Sequence, residues 1–154
     1  MNRFITTAAL LLLIGTSIYA VDGDKAAYVG GTVAGVKEKV EGKLSTESET
    51  ELAFVTKQVR FTIPYAAIDS IEYGQKAGRR VGVAIAVSPV ALLSKKRNHF
   101  LTIGYKDPDG KEQAAVFELG KDIVRTTLKI MEVRTNHKIE FQDEEAKKQY
   151  GGGK

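Results

Sequence analysis

A chain of 154 residues with 43% apolar and 27% charged residues has the make-up of one globular domain and excludes a disordered or fibrous chain. Lys and Arg number 23 against 19 Asp and Glu, and the net charge of +4 falls short of a nucleic-acid-binding footprint. With no cysteine, the chain excludes a disulfide framework, a thiolate metal site, a cysteine nucleophile and the lipid-carrying cysteine of a bacterial lipoprotein.

Residues 1–20 have the layout of a secretory signal peptide. Met1 to Arg3 give a short positive end, Phe4 to Ile18 an apolar run rich in leucine, and Ala20 a small residue where a peptidase cuts. The competing reading is an uncleaved N-terminal anchor. About 15 to 17 residues at 1.5 Å each reach roughly 25 Å, short of the roughly 30 Å hydrocarbon core, which favours cleavage. The mature chain is then expected to begin near Val21 and to work outside the cytoplasm, in the periplasm or the extracellular space. Residues 21–27, which include the polar VDGDK, form a spacer.

The domain proper is expected over 28–141. Ala27 to Val36 is rich in small and β-branched residues and suggests a first strand that bends at Gly30 and Gly31. A phosphate-loop reading fails, because Val36 and Lys37 follow Gly35 where Lys and then Ser or Thr are needed. Val40 to Ser45 and Leu52 to Val55 predict a hairpin around the polar TESETE, whose Glu47, Glu49 and Glu51 lack the spacing of a calcium loop and read as solvated charge. Val59, Phe61 and Ile63 alternate with Arg60 and Thr62, the period of a half-buried strand that Pro64 stops. Ile68 to Tyr73 resumes as a strand.

Between Arg79 and His99 runs RRVGVAIAVSPVALLSKKRNH, an apolar stretch between two basic clusters. Val81, Val83, Ile85 and Val87 alternate with Gly82, Ala84 and Ala86, which suits a strand packed closely on both sides. Ser88 and Pro89 then start a short helical turn carrying Val90, Leu92 and Leu93. The sharper reading exposes Val81 to Leu93 as a loop that enters the outer part of an anionic membrane or meets an envelope protein. In it Val90, Leu92 and Leu93 insert while Arg79, Arg80, Lys95, Lys96 and Arg97 meet phosphates at about 1 kcal/mol each. Thirteen helical residues reach about 20 Å and are too short to span a bilayer. Nucleic-acid contact by Lys95, Lys96 and Arg97 with His99 and Phe100 is disfavoured by export and by the scattered aromatics.

Leu101, Ile103 and Tyr105, then Ala115, Phe117 and Leu119, alternate with smaller or polar residues on either side of Asp107-Pro-Asp-Gly110, the firmest hairpin signal in the chain. From Lys121 to Arg134 the period changes. Ile123, Val124, Thr127, Leu128, Ile130 and Met131 form one face and Arg125, Lys129 and Glu132 the other, predicting one amphipathic helix closed by Asn136, with His137 and Lys138 at its negative end. Residues 142–154, ending in GGGK, read as a disordered tail.

About seven strands followed by one helix suggest a mainly β (α+β) domain, a curled antiparallel sheet or partly open barrel capped by the C-terminal helix. This order resembles the pleckstrin-homology-like (PH-like, GRAM-like) superfold. The segment KKRNHFLTIGYKDPDGKEQAAVFELGKD resembles small exported bacterial proteins that carry such a domain without an assigned activity, and the likeness covers roughly Tyr28 to Phe141. The resemblance implies fold rather than ligand. Pleckstrin-homology domains usually carry a tryptophan in the closing helix, where this chain offers Met131 or Ile130. Around the first hairpin, where inositide binders cluster cations, Lys37, Lys39 and Lys43 are interspersed with Glu38 and Glu41. No catalytic, cofactor or metal residues are expected. The sequence therefore points to an exported, non-enzymatic binding or scaffold domain that meets the envelope or a protein partner through 79–97, or to a soluble periplasmic module in which 81–93 is buried as a core strand.

Overall fold

A computed structural model describes residues 25–77 and 98–152. In chain order the elements are β1 (Ala26–Gly31), β2 (Val40–Ser45), β3 (Glu51–Val55), β4 (Arg60–Pro64), a 3-10 turn (Tyr65–Ala67), β5 (Ile68–Gly74), β6 (His99–Lys106), β7 (Glu112–Leu119), α1 (Val124–Thr135), β8 (Glu140–Phe141) and α2 (Glu144–Tyr150). The strands form one sheet in the order β4-β3-β2-β1-β7-β6-β5-β8. Two antiparallel meanders, β1 to β4 and β5 to β7, join where β1 pairs with β7, and among the described strands only β8 runs parallel, on β5.

The mainly β class stands, with three differences in detail. There are eight strands among the described residues rather than about seven. The sheet is open, with β4 at one end and β8 at the other. Gln142 to Gly152 is not a frayed tail through its length: it carries α2, whose first free N–H groups are capped by Asp143, its carboxylate accepting from the Ala146 amide at 2.7 Å.

The first strand is shorter than its composition suggests. A bulge falls between Tyr28 and Gly30, and Gly31 sits at φ 135° where a Cβ would lie 2.3 Å from the Ala114 carbonyl. Only glycine fits there. The Thr32 hydroxyl then ends the strand by accepting from the Ala114 amide at 2.9 Å. At the β6–β7 turn, Gly110 takes φ 77° and donates to the Asp107 carbonyl at 2.9 Å. The Asp107 carboxylate accepts from the amides of Lys111 and Asp109 and from Gln113, bonds led by Lys111 that hold its carboxyl below the usual range.

The two faces of the sheet differ. The inner face collects large side chains, among them Tyr28, Phe54, Ile63, Ile71, Tyr73, Leu101, Ile103 and Phe117, together with Val124, Leu128 and Met131 of α1 and Ala146 of α2. Tyr28, Phe54, Phe61 and Phe117 meet at centroid distances of 5.3 to 6.1 Å. Met131 is fully buried in the closing helix while Ile130 is half-buried, so Met131 takes the central place. Asn136 adopts the left-handed conformation that ends α1, at φ 57°.

Candidate functional site

Every sequence-predicted contact residue, Arg79, Arg80, Val90, Leu92, Leu93, Lys95, Lys96 and Arg97, lies outside the described residues, as does the signal segment 1–20. The residues that bracket the segment, Ala77 and Asn98, are described. Ala77 belongs to the outer face of the sheet.

Strand pairing sets Phe100 beside Gly74 and Glu118, and Thr102 beside Glu72 and Val116. Ala27, Val29, Ala77, Phe100 and Val116 make a second apolar cluster on this outer face, separate from the inner core. Phe100 and Val29 are each 2% exposed and Val116 is 0% exposed, although both helices contribute their buried residues to the opposite cluster. The alternation of Leu101 and Ile103 with Thr102 and Gly104 therefore does not mark a solvated side. Thr102 and Gly104 are buried too, and β6 is covered on both faces.

Beside this patch lies a polar knot. Gly74 has no side chain, and the Gln142 side chain occupies that space: its Oε1 would touch a Cβ there at 2.0 Å. Gln142 accepts from the Lys76 amide at 3.1 Å and donates to the Lys76 carbonyl and to Glu72 Oε1. Glu72 is 4% exposed, and its Oε2 is buried without a hydrogen-bond partner among the described residues. In the next row of that face, burial raises the Glu118 carboxyl above its ordinary range.

At the inner edge of the same strands stands a cluster that the sequence did not single out. Tyr73 Oη and His99 Nδ1 lie 2.7 Å apart, with the two rings nearly parallel at 9°. Tyr150 of α2 meets both edge-on, at 5.2 Å from Tyr73 and 5.6 Å from His99, and Phe141 closes on Tyr73 at 6.0 Å. Burial, then the charge of Lys121, depresses His99 below its ordinary value of 6.5; burial, then Tyr150, pushes Tyr73 far up. His99 begins β6, while His137 is exposed just past α1.

The period-two pattern held the signal for half of this cluster, since His99 shares the inward side of Leu101 and Ile103. Tyr150 gave none, because its helix lies in a polar, glycine-ended tail. Among the described residues no three His, Cys, Asp or Glu groups converge in a way that holds a metal ion, and no helix is long and apolar enough to cross a membrane. Comparison with protein-family models, curated proteins and solved structures returns no match.

Proposed function

We propose that this chain is an exported, non-enzymatic binding or scaffold module of PH-like design, and that its segment 81–93 is committed to the outer face of its own sheet. One observation carries the second half of this reading. The outer patch of Val29, Phe100 and Val116 is out of solvent, while the helices supply the opposite face. An apolar sheet face needs a cover. Ala77, the last described residue before the segment, belongs to that patch, as does Phe100, two residues after the first described residue that follows it. The alternating Val81, Val83, Ile85 and Val87 supply a row of bulky groups for such packing. Two meanders followed by a closing helix whose centre is Met131 support the PH-like element of the proposal, and the leucine-rich N-terminus supports export.

A second reading keeps the same module but gives 79–97 to an anionic membrane surface or an envelope protein. It is favoured by the five cations that bound the apolar run. Two measurements on the mature chain separate the readings. Under the first, elastase does not cut between Val81 and Leu93 in the native protein, and vesicles of anionic lipid do not retain it at low salt. Under the second, anionic vesicles bind it, salt weakens the binding, and charge reversal at Lys95, Lys96 and Arg97 abolishes it. That second pattern overturns burial of the segment.

A further inference from the structure

We propose that Tyr73, His99 and Tyr150 form a proton-operated latch, in which neutral His99 lets α2 dock on the inner edge of β5 and β6 and protonation of His99 releases it. The proposal does not depend on where segment 79–97 goes.

The seven residues of α2 make a helix far too short to be stable alone, since isolated helices below about 12 to 15 residues are marginal in water. Its order is borrowed from what it touches. Ala146 is buried in the core, Arg125 donates to the Gln149 carbonyl at 2.9 Å, and Tyr150 packs on Tyr73 and His99. Tyr150 is the one large side chain that α2 lays on the sheet, and half of its seat is a titratable ring.

The groups that face His99 come from three elements. Tyr73 on β5 is a neutral phenol at every ordinary pH, because burial pushes it up. Tyr150 on α2 is a second phenol. Lys121, just after β7, is the charged group that His99 feels, and it repels a second positive charge. Asp143, ahead of α2, acts on Tyr73 and caps Ala146. While His99 is neutral, it shares one proton with Tyr73, either O–H to Nδ1 or Nδ1–H to O. A second proton makes Nδ1 a donor and leaves a full charge among aromatic rings beside Lys121. Moving Tyr150 away returns that charge to water.

The sign follows from linkage. Docking lowers the affinity of His99 for protons, so α2 is held firmly above the ordinary histidine value of 6.5 and is released as pH falls below it. Only the part of the depression that docking itself causes is linked to α2; the repulsion by Lys121 stays with the domain when the helix leaves.

The test uses the whole mature chain, with amide exchange in α2 and the imidazole resonances of His99 followed by NMR from about pH 8 to about pH 5. After correction for intrinsic exchange, protection at Lys147 and Gly151, whose amides bond to the Asp143 and Lys147 carbonyls, is expected to fall in step with the titration of His99, by about tenfold for each pH unit by which Tyr150→Ala raises the His99 midpoint. In His99→Phe the protection is expected to stay flat over that range. Tyr150→Ala frees the imidazole, and the His99 midpoint is expected to rise toward 6.5; this readout holds even if His99→Phe misfolds. Flat protection in the unmodified chain, an equal fall in His99→Phe, or a His99 midpoint that Tyr150→Ala leaves in place each overturns the latch.

Discussion

The two helices lie on the same side of the sheet and are held there by different means. Helix α1 has 12 residues and buries Val124, Thr127, Leu128 and Met131 as one continuous stripe. Helix α2 has seven and buries Ala146 alone, leaving Tyr150 half-covered at its end. A stripe of four core residues ties a helix to the cooperative unfolding of the domain, while a single small residue and one ring leave it able to open by itself. The first is part of the fold, and the second is an attachment to it.

The sharpest way to break this contrast is at the centre of α1. Leu128→Ala deletes a side chain that is 1% exposed among the residues of both meanders, and the expected loss is about 2 to 5 kcal/mol of global stability. Urea unfolding followed by circular dichroism and by amide exchange is expected to show the sheet and α1 melting together at a lower midpoint. Opening of α1 ahead of the sheet would erase the distinction between the helices.

A smaller effect is expected where α1 reaches across to the opposite end of the sheet. Arg134 Nη1 donates to the carbonyls of Thr46 and Ser48 and, at 3.2 Å, to the Tyr65 hydroxyl, with its guanidinium 5.4 Å from the Tyr65 ring centre. One side chain thus fastens the β2–β3 connection and the 3-10 turn to the end of the helix. Arg134→Ala removes that donor from both carbonyls and is expected to cost about 1 to 3 kcal/mol. Arg134→Lys, which keeps a charge but loses the planar fork, is expected to fall between. Amide exchange in residues 46–50 reads the difference, and an unchanged loop in Arg134→Ala would show that the staple is idle.

How much of this was legible follows from which forces are local. Period-two runs placed β4, β6 and β7, and Asp107 to Gly110 placed the turn between β6 and β7, because strand alternation and turn dihedrals are properties of adjacent residues. The 3.6-residue stripe placed α1 with its buried Leu128 and Met131 for the same reason. What failed needed partners far away in the chain. Small residues read as a longer first strand, but the close approach of Ala114 to Gly31 cuts it short. The polar tail read as disordered, but Gln142 reaches back to Glu72 and Lys76, and Tyr150 reaches back to Tyr73 and His99. Residue separations of 51 to 77 leave no periodic trace, so the candidate latch was visible only as a histidine at the start of a strand.

The smallest expected effect also tests the contrast most directly, because it asks whether α2 can be loosened without loosening anything else. Asp143→Ala removes the carboxylate that accepts from the Ala146 amide, and loss of such a cap costs about 1 kcal/mol, or about fivefold in the opening equilibrium. Exchange in α2 is expected to quicken by that factor while the global urea midpoint stays in place, since the cap lies outside the inner core. The pH dependence of α2 between about pH 8 and about pH 5 is expected to survive in the variant, because the imidazole and its seat are untouched. If the global midpoint fell by the same free energy as local opening, α2 would belong to the cooperative unit after all, and its seven residues would be core in the sense that α1 is.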